Sequence, residues 1–230
     1  MATYWRALLS ALAFLNGIAA DAIVSAQNEP PPPFQLEYVN SAGDGELDAP
    51  TSVVVSPDGR FVYASAYKSG SHAVFSRDQK TGTLKVVQTV KEDHLAGSTA
   101  LRLSQDGKLA AAASFGGRAI SLYMRDDETG LLTLVNVVRA GAPANVKLQF
   151  PVDVAFSPDS KHVDVVDRNS VSVLRVVSDG DLPALEYVET FTDPELYSCR
   201  SIFHDPSGQY LFVASNRRHS LVALKRDDDS

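Results

Sequence analysis

The most informative segment for the fold is Ser52-Val53-Val54-Val55-Ser56-Pro57-Asp58-Gly59-Arg60-Phe61-Val62-Tyr63-Ala64, because a turn signal stands there between two short apolar runs. Asp-Gly in this setting is typical of a β-hairpin, since glycine adopts the positive φ that the turn requires. The signal returns after 48, 53 and 48 residues. A period of this length indicates a stacked or closed repeat architecture. The later copies are Ser104-Gln105-Asp106-Gly107, Ser157-Pro158-Asp159-Ser160 and Asp205-Pro206-Ser207-Gly208.

Each repeat contains two further candidate strands after the hairpin. Many of these runs are continuously apolar, which is typical of sheets that are covered on both faces. Four short antiparallel strands in a unit of this length predict a β-propeller blade. We therefore predict an all-β chain with about four blades. The predicted blades span residues 51–90, 99–138, 152–191 and 200–230.

The fourth repeat stops before its outer strand, and a similar strand stands near the N-terminus. Leu36-Glu37-Tyr38-Val39-Asn40 is similar to the outer strand Leu185-Glu186-Tyr187-Val188-Glu189. We predict that residues 34–41 pair with strand 221–226 and complete the fourth blade, because an unpaired edge strand invites aggregation. Two arrangements stay open, a closed ring of four blades and the front part of a longer propeller.

Residues 1–26 are expected to be a secretory signal peptide. Arg6 precedes an apolar stretch at 7–20, which is too short to span a bilayer comfortably. Small residues at Val24-Ser25-Ala26 suit cleavage after Ala26, and an uncleaved anchor is the alternative. Residues 27–33 then form a Pro-rich linker and 34–230 the propeller domain. Cleavage predicts a secreted or periplasmic protein with no stable membrane span.

Composition excludes several classes of function. The net charge of −7 argues against nucleic acid or anionic membranes as general partners. The single cysteine, Cys199, excludes an intrachain disulfide framework. The usual catalytic motifs are missing, and the five histidines have no metal-ligand spacing. We expect neither a metal nor a cofactor.

Aligned repeats place several basic and polar residues near the channel of a propeller. Arg200 falls in the first column of the innermost strands and Asp153 in the next, while the turns after the second strands carry bases. Guanidinium and ammonium groups match carboxylates and phosphates. We predict a binding site for small anions, with solvated loop charges as the alternative. Its residues are Lys68, Arg118, Asp153, Arg168 and Arg217.

Three residues break the apolar columns of the repeat. Arg102, Asp164 and His204 each stand where the other copies have apolar residues. A charge at such a position must be paired or must face water. Arg102, Arg200 and His204 are therefore the candidate catalytic residues. For His204 and Asp164 a structural contact is the alternative, with Asp164 paired to a base from a neighbouring blade.

The repeats resemble a known family. The segments 54–64, 73–84 and 114–123 are similar to those of the seven-bladed lactonase-type propellers, which include 6-phosphogluconolactonase-like, muconate-cycloisomerase-like and YVTN-repeat proteins. The resemblance covers residues 34–230. It implies a propeller fold and lactone chemistry, with His, Arg and Glu near the channel mouth. Family members often carry a Pro-His-x-His-like stretch before an inner strand, where this chain has Phe150-Pro151-Val152-Asp153-Val154 without histidine.

These observations favour a secreted or periplasmic lactonase-like propeller that acts as a binding or interaction module. Its expected partner is a small anionic ligand, a sugar lactone or a protein. One alternative is a lactone hydrolase or cycloisomerase, in which the channel arginines hold the anionic substrate and a histidine or carboxylate moves the proton. A non-functional fragment is a further alternative.

Overall fold

The computed structural model describes residues 36–142, 144, 146–180 and 182–227. The predicted signal peptide and Pro-rich linker lie outside the described residues. The chain divides into two compact units, residues 1–38 and residues 39–230. In the first unit the described residues, 36–38, carry no strand. The second unit contains every strand that the structure describes.

The described strands form four antiparallel sheets in chain order, which we call blades 1 to 4. Within each sheet every strand pairs with its sequence neighbours. The predicted all-β architecture of propeller blades is therefore confirmed. Blade 1 contains β1 (Pro50–Val55), β2 (Phe61–Ala66), β3 (Ser71–Arg77) and β4 (Leu84–Lys91), and blade 2 contains β5 (Ser98–Leu103), β6 (Leu109–Ser114), β7 (Ala119–Arg125) and β8 (Leu132–Arg139). Blade 3 contains β9 (Asp153–Phe156), β10 (His162–Val166), β11 (Val171–Asp179) and β12 (Leu182–Phe191), and blade 4 contains β13 (Cys199–His204), β14 (Tyr210–Ser215) and β15 (Ser220–Lys225).

Helical structure is limited to two short 3-10 helices, Asp93–Leu95 and Asn216–Arg218, within the described ranges. Among those residues no helix is long and apolar enough to cross a membrane.

The recurring turn signal closes the first hairpin of each blade through its own side chains. The Ser56 hydroxyl donates to Asp58 Oδ1 at 2.5 Å and accepts from the Phe61 N–H at 3.0 Å. Gly59 has a φ of +70°, which a residue with a Cβ adopts with difficulty. Ser104 and Ser157 make the same contacts with Asp106 and Asp159. The motif therefore fixes where each innermost strand turns back.

The core lies between the blades. β2 is buried at all six positions, as expected for a sheet that is covered on both faces. Buried apolar side chains from adjacent sheets pack together at each of the three junctions. Examples are Tyr63 with Tyr123 between blades 1 and 2, Ile120 with Val163 between blades 2 and 3, and Val166 with Ile202 between blades 3 and 4.

The predicted pairing of residues 34–41 with strand 221–226 is not observed. Residues 36–41 carry no strand, and β15 pairs only with β14 in the described part of the chain. Instead, the Asn40 side-chain amide donates to the Leu84 carbonyl at 3.0 Å and accepts from the Leu84 N–H at 3.1 Å. Ala42 and Leu47 also pack on the apolar face of blade 1. These contacts hold the segment from residue 39 onwards at blade 1, which explains the difference.

Candidate functional site

The innermost strands carry a chain of polar contacts that joins all four blades. Arg102 of β5 donates through Nη1 to Ser52 Oγ of β1 at 2.7 Å. Its Nη2 lies 2.9 Å from Oδ1 of Asp153 on β9. Ser201 of β13 donates to Asp153 Oδ2 at 2.9 Å. We call these residues, Ser52, Arg102, Asp153 and Ser201, the channel belt.

The charges of the channel belt are matched within the protein. The Asp153 side chain is only 4% exposed, and that of Arg102 is 27% exposed. Burial raises the pKa of Asp153, while the positive charge of Arg102 and the hydrogen bond from Ser201 oppose this shift. The Arg102 guanidinium therefore serves a buried carboxylate, and little of its charge is left for a substrate.

A cavity of about 350 Å³ opens beside the channel belt, next to the first hairpin turns of blades 2 to 4. Arg102 and His204, two of the predicted catalytic residues, line it together with Gln105 and Ser157. Arg200 does not line it. Arg200 lies four residues before His204 on β13, which corresponds to about 13 Å along a strand. The three predicted catalytic residues are therefore not brought together at one point.

His204 forms a buried contact with Asp164 of the neighbouring blade. His204 Nε2 lies 2.7 Å from Asp164 Oδ2, although the approach is not along a hydrogen-bonding direction, and Arg226 Nη1 lies 3.9 Å from the same oxygen. Asp164 thus meets bases from blade 4, as expected for a charge that replaces an apolar residue. Both ring nitrogens of His204 are buried. In this conformation neither nitrogen can reach a substrate, so the geometry favours the structural role.

The basic residues predicted to surround one anion are held by separate local partners. Lys68 forms an exposed ion pair with Asp48 at 2.8 Å. Arg118 donates through Nε to the Gln149 carbonyl at 3.1 Å. Cation–π contacts place Arg118 over the Phe150 ring and Arg217 over the Tyr197 ring, at 5.7 and 6.0 Å from the ring centroids. Lys68 lies in the turn between β2 and β3 of blade 1, whereas Arg118 and Arg217 contact Gln149, Phe150 and Tyr197, which line one cavity described below.

Arg168 lines a second cavity, of about 510 Å³, at one end of blade 3, between the loop that enters this blade, its turn between β10 and β11 and the loop that leaves it. Lys147 also lines it, so two bases share this space. The other lining residues are mostly polar or aromatic. We call this space the rim cavity, and its lining is Lys147, Gln149, Phe150, Asp167, Arg168, Asn169, Ser170, Thr190, Thr192 and Tyr197.

Backbone donors satisfy the one carboxylate in the rim cavity. Asp167 is buried, and its side chain accepts from the Gln149, Phe150 and Arg168 N–H groups. These bonds fix the loop that carries Lys147 against the turn that carries Arg168. Phe150 also stacks on Phe115, with ring centroids 5.0 Å apart. The rim cavity is therefore built from a loop that is tied down at several points.

Sequence reasoning missed Lys147. It lies in the loop between β8 and β9, where the repeat is longer than elsewhere, so it matches no column of the alignment. The available signal was the spacing of 53 residues, instead of 48, between the second and third turn signals. The additional residues had to lie in a loop, and such loops on a repeat scaffold often form binding surfaces.

Other reactive groups do not form a site. The described residues contain no group of three or more His, Cys, Asp and Glu side chains that could hold a metal ion. Cys199 is buried, and burial raises the pKa of its thiol, which keeps it protonated and unreactive.

The comparisons with known proteins agree with this architecture. Residues 35–150 match the family model of the seven-bladed β-propeller lactonases. No curated protein matches the sequence. Similar solved structures include two Bacteroides proteins with provisional 6-phosphogluconolactonase assignments. The one from Bacteroides uniformis has 20% identity and a TM-score of 0.66, with 78% of this chain and 51% of that chain covered. The one from Bacteroides fragilis has 19% identity and a TM-score of 0.66, with coverage of 79% and 54%.

A third similar structure is the periplasmic gluconolactonase of Pseudomonas aeruginosa, at 21% identity and a TM-score of 0.63, with coverage of 78% and 50%. At such identities these likenesses show the fold alone. The chain spans about half the length of the solved structures it matches. The family match covers half of the chain and agrees with the four-stranded blades. The chain therefore belongs to the lactonase family of seven-bladed β-propellers.

Proposed function

We propose that this lactonase-family propeller is a binding module for small, hydroxyl-rich organic anions and that the ligand occupies the rim cavity. The observation that carries the proposal is the pair of bases, Lys147 and Arg168, on one cavity of about 510 Å³. This volume lies in the usual range for small-molecule sites. Sugar acids and sugar phosphates have the matching chemistry, since they combine an anionic group with several hydroxyls.

The electrostatics of the rim cavity support an anionic ligand. Among the described residues, no carboxylate forms an ion pair with Lys147 or Arg168, in contrast to Lys68 and Arg102. The negative charge of Asp167 is held by three backbone N–H groups. The two bases therefore form a local positive site on a chain whose net charge is −7. A guanidinium also binds carboxylate or phosphate through two parallel hydrogen bonds.

The polar lining supports a ligand that carries hydroxyl groups. Ser170, Thr190, Thr192 and Tyr197 bring hydroxyls to the rim cavity, and Asn169 brings an amide. Phe150 adds an aromatic surface against which the apolar face of a sugar-like chain can pack. Such groups fix the orientation of a polyhydroxy acid, while the bases supply most of the attraction.

Lactone hydrolysis is the second candidate function. It is favoured by the family and by the similar structures, which carry 6-phosphogluconolactonase and gluconolactonase names. For this function a sugar lactone would enter the cavity of about 350 Å³ beside the channel belt, which Arg102 and His204 line. The buried ring nitrogens of His204 and the pairing of Arg102 with Asp153 weigh against it. We therefore propose ligand binding, and not lactone hydrolysis, as the first candidate function.

We propose that the protein is exported and is secreted or periplasmic. The charged and then apolar segment within residues 1–26 supports a signal peptide, and one similar structure is a periplasmic gluconolactonase. Expression of the 230-residue chain in a bacterial host, followed by mass measurement of the periplasmic fraction, tests this. A mature protein that begins at Gln27 is expected, and an uncleaved cytoplasmic chain would contradict the proposal.

Calorimetry at low salt tests the binding function. The probes are gluconate, 6-phosphogluconate and citrate, with neutral glucose as a control ligand. We expect micromolar-to-millimolar affinity for at least one anion, and this affinity should fall as salt screens the charges. Lys147→Ala combined with Arg168→Ala should remove the binding.

The matched control combines Lys161→Ala and Arg175→Ala, which remove the same two charges from exposed positions outside the rim cavity. Binding should survive in this variant. The proposed site would be refuted if folded protein gave no heat with any anion. It would also be refuted if the rim-cavity double variant and the control double variant bound the anion equally well.

A further inference from the structure

Basic residues continue from the rim cavity onto the neighbouring blades. In blade 2, the turn between β6 and β7 carries Arg118, which lies over the Phe150 ring. In blade 4, the 3-10 helix between β14 and β15 carries Arg217 and Arg218, which both lie over the Tyr197 ring. Phe150 and Tyr197 line the rim cavity. We call the five bases, Arg118, Lys147, Arg168, Arg217 and Arg218, the basic arc.

The basic arc keeps its charge available for a ligand. All five residues are exposed, and among the described residues none of them takes part in an ion pair. The same end of blade 1 differs, because Lys68 pairs with Asp48 and Lys91 pairs with Glu46. The uncompensated positive charge is therefore found on blades 2 to 4.

The carboxylates beside the basic arc do not cancel its charge. Asp167 is held by three backbone N–H groups. Asp193 and Glu195 flank Pro194, whose carbonyl accepts from Arg218 Nε at 2.8 Å. The Asp193 carboxylate accepts from the Glu195 N–H at 2.8 Å, and neither of these two residues lines the rim cavity. The arc is therefore a positive surface on a chain whose net charge is −7.

The basic arc extends over three blades, farther than one small acid reaches. Arg118, Arg168 and Arg217 stand in the corresponding turns of blades 2, 3 and 4. Packed sheets lie about 10 Å apart, so these turns follow one another at steps of about this length or more. A sugar acid with one carboxylate in the rim cavity neutralises Lys147 or Arg168 and leaves the bases of blades 2 and 4 without a partner. An elongated ligand with an anionic group on each unit matches the whole arc.

The groups along the basic arc favour a saccharide over a peptide as the elongated ligand. Thr190 and Tyr197 bring hydroxyls to the rim cavity, which suit the hydroxyls of a sugar ring. The backbone of the turns is already engaged, since the Phe115 N–H donates to the Gly97 carbonyl at 3.0 Å and the Arg217 N–H donates to the Tyr197 carbonyl at 3.3 Å. An extended peptide that binds through its backbone needs an unpaired strand edge, which turns of this kind do not offer.

We propose that the rim cavity and the basic arc together bind an acidic polysaccharide, a chain of uronic acid units that carries one carboxylate on each unit. This inference rests on the proposed function, because one unit occupies the rim cavity as the small anion does. Further units extend over blades 2 and 4, where Arg118 and Arg217 each meet another carboxylate. Linked units bind more tightly than separate ones, since binding of the first unit raises the effective concentration of the next.

Calorimetry at low salt with galacturonate and its linear hexamer tests the proposal on the full chain. We expect the hexamer to bind about 100-fold more tightly than the monomer, whereas six independent units would give about sixfold through their number alone. The affinity of the hexamer should also fall more steeply with salt, because more charge pairs are screened. Maltohexaose, a neutral saccharide of the same length, is the control ligand and should give no heat. Equal affinity for maltohexaose would overturn the proposal.

Two double variants assign the effect of ligand length to the basic arc. Arg118→Gln with Arg217→Gln removes two charges and keeps hydrogen-bond donors, and it should reduce the ratio of hexamer to monomer affinity to the statistical value. The matched control, Lys161→Gln with Arg175→Gln, removes the same charges from exposed positions outside the arc and should keep the ratio. Circular dichroism checks that each variant is folded. Equal ratios in the two double variants would overturn the role of the arc.

The outcomes for the unaltered protein separate this inference from the proposed function. Binding of the monomer, with a ratio at the statistical value, would overturn the polysaccharide proposal and leave the small-anion function standing. No heat with either galacturonate ligand would refute both. Hexaglutamate carries a comparable number of carboxylates without sugar rings. Equal affinity for hexaglutamate would overturn the choice of a saccharide and would indicate an acidic peptide as the partner.

Discussion

At the scale of single residues, the charges of Arg102 and Asp153 stabilise each other. The Asp153 carboxylate is buried, and its ion pair with Arg102 offsets the loss of hydration. Arg102→Met should lower the free energy of unfolding by about 3 kcal/mol, because removing one partner leaves a buried charge uncompensated. Urea denaturation measures this. Arg175→Met, at an exposed position of β11, is the matched control and should have a much smaller effect.

Adding Asp153→Asn to Arg102→Met should recover part of the lost stability, because the uncompensated charge is then gone. Equal losses in Arg102→Met and Arg175→Met would contradict the structural role of the channel belt.

His72 gives the protein a defined response to acid. It is fully buried, with Nε2 2.9 Å from Ser98 Oγ, and burial lowers its pKa to about 3, with His94 adding to the shift. Between this value and the unfolded pKa of about 6.5, the unfolded chain binds a proton that the folded chain does not. The free energy of unfolding therefore falls as the pH drops, by about 1.4 kcal/mol per pH unit for this group.

Denaturation curves at pH 7, 6 and 5 check the contribution of His72. His72→Leu should reduce the slope between pH 6 and 5, whereas His219→Leu, at an exposed position, should keep it. His94 and His162 also have lowered pKa values because of burial, so some slope should remain. An unchanged slope in His72→Leu would show that His72 is not the responsible group.

At the scale of elements, the turn between β7 and β8 locks blade 2 onto blade 1. The Gly130 carbonyl accepts from the Tyr63 hydroxyl at 2.9 Å, and a Cβ at Gly130 would overlap the Phe61 ring. Gly82 is the same position in blade 1, with a similar φ of +78° against +74°, but a Cβ there would meet Val39 at 3.9 Å. Gly130→Ala should therefore destabilise the fold by about 1–3 kcal/mol more than Gly82→Ala.

Thermal unfolding of the two glycine variants measures this difference. Both variants share the strain of a positive φ, so the comparison isolates the contact between blades. Equal melting temperatures would show that this turn does not hold the junction.

The elements themselves were predictable because their determinants are local. Ser56, Asp58 and Gly59 form their turn with one another, so the repeat of this signal located the hairpins. The segment around Asn40 was a different case. Its residues are similar to an outer strand, but the segment forms no strand in the structure, and its position depends on a contact with Leu84, which is 44 residues away. Sequence similarity between strands carries no information on such a long-range partner.

At the scale of the molecule, the columns of the repeat predicted that Arg102 and Asp153 lie on innermost strands. The structure has them there and joins them in an ion pair. The predicted site for small anions stays a prediction. The repeat could not give the partners of its bases, because Arg118 donates to the Gln149 carbonyl in a loop that matches no column. Lys147 was missed because its loop lies outside the repeat.

Binding without lactone hydrolysis is tested most directly by the rate at which gluconolactone opens in the presence of the folded protein. We expect the same rate as in buffer alone, together with measurable binding of gluconate. Its reason is that Arg102 is paired with Asp153 and both nitrogens of His204 are buried. Saturable turnover above the buffer rate would contradict the account and would establish a catalytic site.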